Sequence, residues 1–68
     1  MATFREAKEK FIERWERDFF LGALRATSGN ISRAAERVGM YRQNFQQKMR
    51  ELGISQADIG HTIGSDEN

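Results

Sequence analysis

The 68-residue sequence predicts an all-α fold in which one long N-terminal helix precedes a helix-turn-helix. The chain contains no proline, and 31% of its residues are charged, a composition typical of small helical domains. Apolar residues recur at helical spacing over residues 4–26, and Gly39 separates two further short helical patterns. We therefore expect one domain with three parts: a dimerisation and core helix (1–28), a helix-turn-helix (29–54) and a flexible tail (55–68).

The first helix is expected to begin after an N-cap at Thr3, with Glu6 in the capping-box position, and to run to about Thr27. Its apolar stripe, about 120° wide, comprises Phe4, Phe11, Ile12, Trp15, Phe19, Ala23 and Ala26. Between Phe19 and Leu24 the apolar arc widens to roughly 200°.

An arc this wide needs cover on more than one side, and two short helices provide cover on one side only. The pattern therefore predicts a homodimer that packs through the first helix. The expected interface residues are Phe11, Ile12, Trp15, Phe19, Phe20 and Ala23. The alternative is that the three helices of a single chain wrap this segment more fully.

Asn30 is a favourable N-cap for a second helix from Ile31 to about Arg37. Gly39 lies where the chain must turn sharply, a position that favours a residue tolerating positive φ. A third helix is expected from about Tyr41 to Leu52, ending at Gly53. After it, Ile54 is expected to return to the core, and the polar tail beyond is expected to fray.

Composition excludes several classes of protein. Without cysteine, neither a disulfide framework nor a thiolate metal site is available. No apolar run approaches the roughly 18 residues of a membrane span, and the N-terminus lacks a signal peptide, so we expect a cytoplasmic protein without membrane contact. The chain has no room for a polar pocket with converging catalytic groups, so we expect no enzyme and no cofactor.

The net charge of +1 conceals an uneven distribution. Residues 28–54 hold five Lys/Arg against two Asp/Glu, whereas residues 55–68 hold three acids and no Lys/Arg. The positive excess therefore lies on the helix-turn-helix, where it would attract phosphate groups. A helix-turn-helix of this kind places its second helix in the major groove of DNA. An excess of +3 is modest, so a single copy is expected to bind DNA weakly.

The third helix begins with side chains suited to reading base edges, because arginine pairs with guanine and asparagine or glutamine pairs with adenine. The expected base-reading residues are Tyr41, Arg42, Gln43, Asn44 and Gln47. For Gln43 and Gln46, a solvated surface amide is an equally good interpretation. Ser32 and Arg33 at the start of the second helix suit a phosphate, although Arg33 could instead pair with Glu36.

The block GN-x-S-R-A-A-x-x-x-G-M-x-R-Q-N-x-x-x-K-x-R-E-L-G-I, preceded by ERDFFLGAL, resembles the Fis-type helix-turn-helix. That module also forms the C-terminal domain of bacterial enhancer-binding proteins, the activators of sigma-54 RNA polymerase. The resemblance covers about residues 16–54. It implies a homodimer whose long helices pack together and present two recognition helices to a palindromic enhancer in double-stranded DNA at the bacterial nucleoid.

The resemblance also implies residue roles. Base reading falls to Tyr41, Arg42, Asn44 and Gln47, and phosphate contacts fall to Ser32, Arg33, Lys48 and Arg50. One departure is Tyr41, where the family commonly has Ser, Thr or Asn as N-cap of the recognition helix. Either Tyr41 makes a DNA contact of its own or the helix start is shifted.

A phosphate-binding loop of the GxxxxGK[ST] type is absent, so the ATPase that precedes this domain in such activators is not part of the chain. RNA polymerase would be contacted only through such absent domains. The chain thus resembles either a C-terminal domain or a free-standing Fis-like protein that bends DNA with loose specificity. A third interpretation, a helical protein-interaction module, accounts for the first helix but not for the polar third one.

Overall fold

The structure is a computed structural model that describes residues 1–55 and residue 58. It contains three helices in the described part of the chain: α1 (Phe4–Ala26), α2 (Ile31–Arg37) and α3 (Arg42–Glu51). The predicted all-α helix-turn-helix architecture is confirmed, and each predicted helix end lies within one residue of the observed one.

Helix α1 begins with the predicted capping box. The backbone N–H of Glu6 donates to the Thr3 hydroxyl at 3.1 Å, and the backbone N–H of Thr3 donates to the Glu6 carboxylate at 3.1 Å. Two amide groups that have no partner within the helix are thereby satisfied. The helix ends where Ser28 and Gly29 both take positive φ, and the N–H of Gly29 donates to Leu24 O at 2.7 Å.

Helix α2 begins at the predicted N-cap, where the Asn30 side chain accepts the N–H of Arg33 at 2.9 Å. The chain then turns at Gly39, whose φ is +78°. In this left-handed conformation the N–H of Met40 donates back to Ala35 O at 2.9 Å and closes the helix end. A β-carbon at position 39 would be strained, which explains the glycine between the two helices.

Helix α3 begins one residue later than predicted, because Tyr41 is its N-cap and not its first residue. The tyrosine side chain makes no capping hydrogen bond. At the other end, the N–H of Ile54 donates to Met49 O at 2.9 Å, and the Ile54 side chain is buried. Ile54 therefore returns to the core as predicted.

The core lies where α2 and α3 cover one side of the second half of α1. Its buried residues are Phe20, Ala23, Leu24, Ala34, Ala35, Phe45, Met49, Leu52 and Ile54. The small side chains of Ala34 and Ala35 are almost fully buried, which lets α2 approach its neighbours closely. The first half of α1 extends beyond this core, and its residues are exposed.

The wide apolar arc of α1 is covered only in part. Phe20, Ala23 and Leu24 are buried and Leu21 is partly buried, whereas Phe19 remains 45% exposed. A single chain thus wraps more of this segment than the sequence pattern suggested, but it leaves the Phe19 side open.

Among the described residues, no helix is long and apolar enough to cross a membrane. After Ile54, the N–H of Ser55 donates to the Asp58 carboxylate at 2.8 Å. The predicted fraying of the rest of the tail concerns residues outside the described part of the chain.

Candidate nucleic-acid interface

Helix α3 has a buried side and a polar side. Phe45 and Met49 hold it against the core, with exposures of 0% and 7%. At about 100° per residue, Gln43 and Gln47 lie on the opposite side, and both are exposed. The polar side of α3 has no part in the core and is free to meet a ligand.

The first turn of α3 brings together four of the predicted base-reading residues. Tyr41, Arg42, Gln43 and Asn44 are all exposed, and Tyr41 reaches 81% exposure. None of their side chains forms a hydrogen bond or ion pair with another described residue. Tyr41 occupies the N-cap position that the resemblance implies, so the helix start is not shifted relative to that pattern, and its exposed ring does not cap the helix.

Gln47, the fifth predicted reader, is already engaged at both ends of its amide. Its Nε2 donates to the Glu51 carboxylate at 3.2 Å, and its Oε1 accepts from Arg50 Nη2 at 3.0 Å. All three side chains are exposed, so these contacts are weak and exchange readily with water. Arg50, a predicted phosphate contact, is thus also a hydrogen-bonding neighbour of Gln47.

Lys48, another predicted phosphate contact, faces α1. Its Nζ lies 3.2 Å from Glu16 Oε1 and 3.8 Å from Glu51 Oε1. The ammonium group therefore has two carboxylate partners within the chain, which lowers its availability for a phosphate.

Ser32 and Arg33 are both exposed on the first turn of α2. The alternative ion pair between Arg33 and Glu36 does not form, since no ion pair among the described residues involves Arg33. Arg33, Arg37 and Glu36 instead border an open cleft between α2 and the end of α1, with one positive charge in excess. The positive charge of this face is therefore presented to solvent.

Arg17, which was not among the residues predicted from the sequence, helps to hold α3 in place. Its Nη1 donates to Leu52 O at 2.8 Å, and its Nη2 lies 3.2 Å from the Asp58 carboxylate. The backbone N–H of Ser55, together with its hydroxyl and the Arg17 guanidinium, holds the pKa of Asp58 below its usual value, against a smaller opposing effect of desolvation. Arg17 thus joins α1 to the C-terminal end of α3.

The predicted dimer residues separate into two groups. Phe11, Ile12, Trp15 and Phe19 are exposed by 71%, 42%, 57% and 45%. We call these four residues the α1 stripe. The Trp15 and Phe19 rings stack with centroids 5.3 Å apart at 17°.

The other two predicted dimer residues face inward. Phe20 and Ala23 are 5% and 8% exposed because they pack against the chain's own α2 and α3. They have almost no surface left for a second copy, so the surface available for dimerisation narrows to the α1 stripe.

No group of three or more His, Cys, Asp or Glu side chains in residues 1–55 and 58 is placed to hold a metal ion. The prediction that the chain has no cofactor and no catalytic site stays a prediction.

Comparison with known proteins identifies a matching family and two similar regulators. Residues 11–55 match the family described as "Bacterial regulatory protein, Fis family". The chain is similar to the nitrogen assimilation regulatory protein NtrX of Azorhizobium caulinodans, with 42% identity over 50 residues, 74% of this chain and 10% of that protein. It is also similar to the DNA-binding transcriptional regulator NtrC of Rhizobium meliloti, with 38% identity over 47 residues, 69% of this chain and 10% of that protein.

The chain thus spans about a tenth of the length of these curated relatives. No solved structure gives a significant match. The matched residues include α2, α3 and most of α1, and therefore the whole of the core and the polar side of α3.

Proposed function

Because the chain belongs to the Fis family of bacterial regulatory proteins, we propose that it binds double-stranded DNA in a sequence-specific manner. In this proposal α3 lies in the major groove, and its first turn meets the base edges. The function is binding and not catalysis.

The observation that carries the proposal is the division of α3 into two sides. Arg42, Gln43 and Asn44 are exposed and have no partner among the described residues, while Phe45 and Met49 hold the helix from behind. Arginine and side-chain amides are the groups that form paired hydrogen bonds with guanine and adenine in the major groove. A helix fixed on one side and furnished with these groups on the other suits direct reading of bases.

The α1 stripe supports a homodimer. Four large apolar side chains on one face of a helix form a patch of the kind that marks a protein interface. A second copy of the same stripe is the natural partner, because a two-fold interface joins the same patch on both subunits. Two copies would present two recognition helices and two basic faces, which offsets the modest charge of each.

The regulatory role is a finer step of the same proposal. One similar protein is named a DNA-binding transcriptional regulator and the other a nitrogen assimilation regulatory protein. We place the chain as the DNA-binding domain of a bacterial sigma-54-dependent activator, acting at a palindromic enhancer in the cytoplasm. Any contact with RNA polymerase would involve other domains.

The test is selection of bound duplexes from a random library, followed by fluorescence anisotropy on the selected duplex and on a scrambled one at several salt concentrations. Recovery of a palindrome bound at least about a hundredfold more tightly than the scramble supports a specific dimeric reader. Near-equal binding of both duplexes indicates a DNA-bending protein with loose specificity. Binding of neither at low salt contradicts DNA binding and leaves a protein-interaction module.

Variants of α3 then test whether this helix contacts the bases of the selected duplex. Arg42→Ala and Asn44→Ala are each expected to weaken binding of the selected duplex by about 1–3 kcal/mol and to relax the preference at one base position. Arg5→Ala, which removes an exposed arginine at the far end of α1, is the matched control and is expected to retain the preference. Unchanged affinity of Arg42→Ala for the selected duplex would remove Arg42 from the reading surface.

A further inference from the structure

Besides the apolar packing of the core, a ring contact, an ion pair and a hydrogen bond join α1 to α3 and its C-cap Leu52. The Phe20 and Phe45 rings meet with centroids 4.6 Å apart, Glu16 pairs with Lys48 at 3.2 Å, and Arg17 donates to Leu52 O at 2.8 Å. No hydrogen bond or ion pair among the described residues joins the first turn of α3 to α1. The two polar contacts thus hold the recognition helix from its C-terminal half, away from the end that would read DNA.

Phe45 anchors the middle of α3 in the core, and the two polar contacts fix the direction of its C-terminal end relative to α1. The ten residues of α3 span about 15 Å, so a change of direction at one end of the helix also turns the other. The orientation of α3 at its Leu52 end therefore affects which bases its first turn can reach.

The carbonyl group of Leu52 is a favourable site at which Arg17 can hold the C-terminal end of α3. Leu52 is the C-cap of α3, and its carbonyl lies at the negative end of the helix dipole, where a cation is favoured. The guanidinium of Arg17 reaches this carbonyl and the Asp58 carboxylate through two different nitrogens, so its plane is fixed by two contacts. A planar group held at two points resists rotation of the helix end better than a single flexible contact.

The same turns of α1 carry the α1 stripe. Glu16 and Arg17 lie between Trp15 and Phe19 in the sequence, so the dimer surface and the contacts to α3 share one rigid segment. We propose that Arg17, assisted by Glu16, is a positioning residue that sets the orientation of the recognition helix relative to the dimer surface, and hence the half-site spacing that the dimer accepts. This inference rests on the proposed DNA-binding function.

The first test measures spacing. Duplexes with the selected half-sites separated by different numbers of base pairs are titrated with the wild-type chain and with Arg17→Met, which keeps the stem and removes the guanidinium. We expect the wild-type chain to favour one spacing, and Arg17→Met to lose at least about threefold of that preference while it still discriminates bases within a half-site. Equal weakening at every spacing indicates a merely structural role and overturns the proposal.

Lys10→Met is the matched control. Lys10 lies two turns before Arg17 on nearly the same face of α1, is exposed, and makes no hydrogen bond or ion pair with a described residue. It is expected to keep the wild-type spacing profile. Glu16→Gln, which removes the charge that pairs with Lys48, is expected to shift the profile in the same sense as Arg17→Met and carries the test if Arg17→Met does not fold.

A second test requires neither DNA nor a dimer. Because the chain has no cysteine, Glu9→Cys and Gln43→Cys introduce two unique sites for spin labels, one on α1 and one at the start of α3. Double electron–electron resonance on labelled chains, diluted with unlabelled ones, gives the distribution of distances between the two labels within one chain. We expect Arg17→Met to broaden or shift this distribution and Lys10→Met to leave it unchanged.

The two tests separate the possible failures. If the wild-type chain shows no preference among duplexes, the proposed function fails, and the label distances alone decide whether Arg17 orients α3. If Arg17→Met leaves the label distances unchanged, the positioning role is overturned whatever the DNA result.

Discussion

The rings of Phe20 and Phe45 lie with their centroids 4.6 Å apart and their planes tilted by 40°, which brings the middle of α3 against α1. Both side chains are buried, and Phe45 is 0% exposed. This ring contact joins the long helix to the recognition helix through the core.

Phe45→Ala is therefore expected to lower the free energy of unfolding by about 3–5 kcal/mol, the usual cost of removing a buried aromatic ring. For a domain of this size that loss is comparable to the entire stability. Urea unfolding followed by circular dichroism at a fixed chain concentration measures it. Phe4→Ala, at an 84% exposed position, is the control, and an equal loss in both variants would contradict this account of the core.

Tyr41→Ser is expected to stabilise the chain while weakening its DNA binding. A serine hydroxyl at this N-cap would accept a backbone N–H that no side chain now caps, a gain of about 0.5–1 kcal/mol. The exposed ring contributes little packing, so little is lost. Thermal unfolding and anisotropy on the selected duplex measure the two effects, with Tyr41→Ala as the control that removes the ring without adding a cap. Destabilisation by Tyr41→Ser would show that the ring has a packing role.

Arg33→Ala is expected to weaken binding to all duplexes by a similar factor. A phosphate contact contributes to affinity irrespective of sequence and releases about one counterion, so the slope of log affinity against log salt should fall by about one. Anisotropy at several salt concentrations, on the selected and scrambled duplexes, gives both quantities. A loss confined to the selected duplex would instead place Arg33 at a base edge.

Trp15 offers a direct measure of dimerisation, since it is the only tryptophan in the chain and is 57% exposed in the single chain. We expect its emission maximum to shift to longer wavelength on dilution, as the stripe of one copy leaves that of the other. Sedimentation equilibrium on the same samples gives the mass. Ile12→Lys should shift the dissociation to higher concentration, and a monomer mass at every concentration would exclude the dimer.

Acid should weaken the contacts that the Asp58 carboxylate makes with Ser55 and with Arg17. The pKa of Asp58 is lowered in the folded chain, so the folded state favours the charged carboxylate. Its contribution to stability is present above the unfolded value of about 3.9 and is lost as the pH falls through the lower folded value. Urea midpoints of the wild-type chain and Asp58→Asn should differ at neutral pH and converge as the pH falls below the lowered folded pKa of Asp58. A difference that persists in acid would contradict the role of the charge.

The helix boundaries could be predicted because their signals are local. The capping contacts of Thr3 with Glu6, and of Asn30 with Arg33, each span three residues, and Gly39 marks the turn by its own conformational freedom. Such signals act within one turn of helix and are therefore legible in the sequence.

The covered part of the apolar arc could not be predicted in the same way. Phe19 and Phe20 are adjacent and equally apolar, yet one is 45% exposed and the other 5%. They differ by about 100° around α1, and only the position of α2 and α3 decides which direction is inside. The sequence pattern defines the apolar arc of α1 but not which part of it α2 and α3 cover.

Arg17 shows the same limit for polar contacts. Its partner, the carbonyl oxygen of Leu52, is a backbone atom 35 positions away along the chain. The contact therefore cannot be predicted from the types of the two residues. Lys48 similarly looks like a free basic residue until Glu16 is placed beside it at 3.2 Å.

The two sides of α3 bear on how such a domain can acquire new targets. Arg42, Gln43 and Asn44 are exposed and lie outside the buried core, whereas Phe45 and Met49 are buried in it. Substitutions at the first three positions can therefore accumulate without loss of folding. An ancestral chain with this arrangement could diverge into paralogues that recognise different operators on an unchanged scaffold.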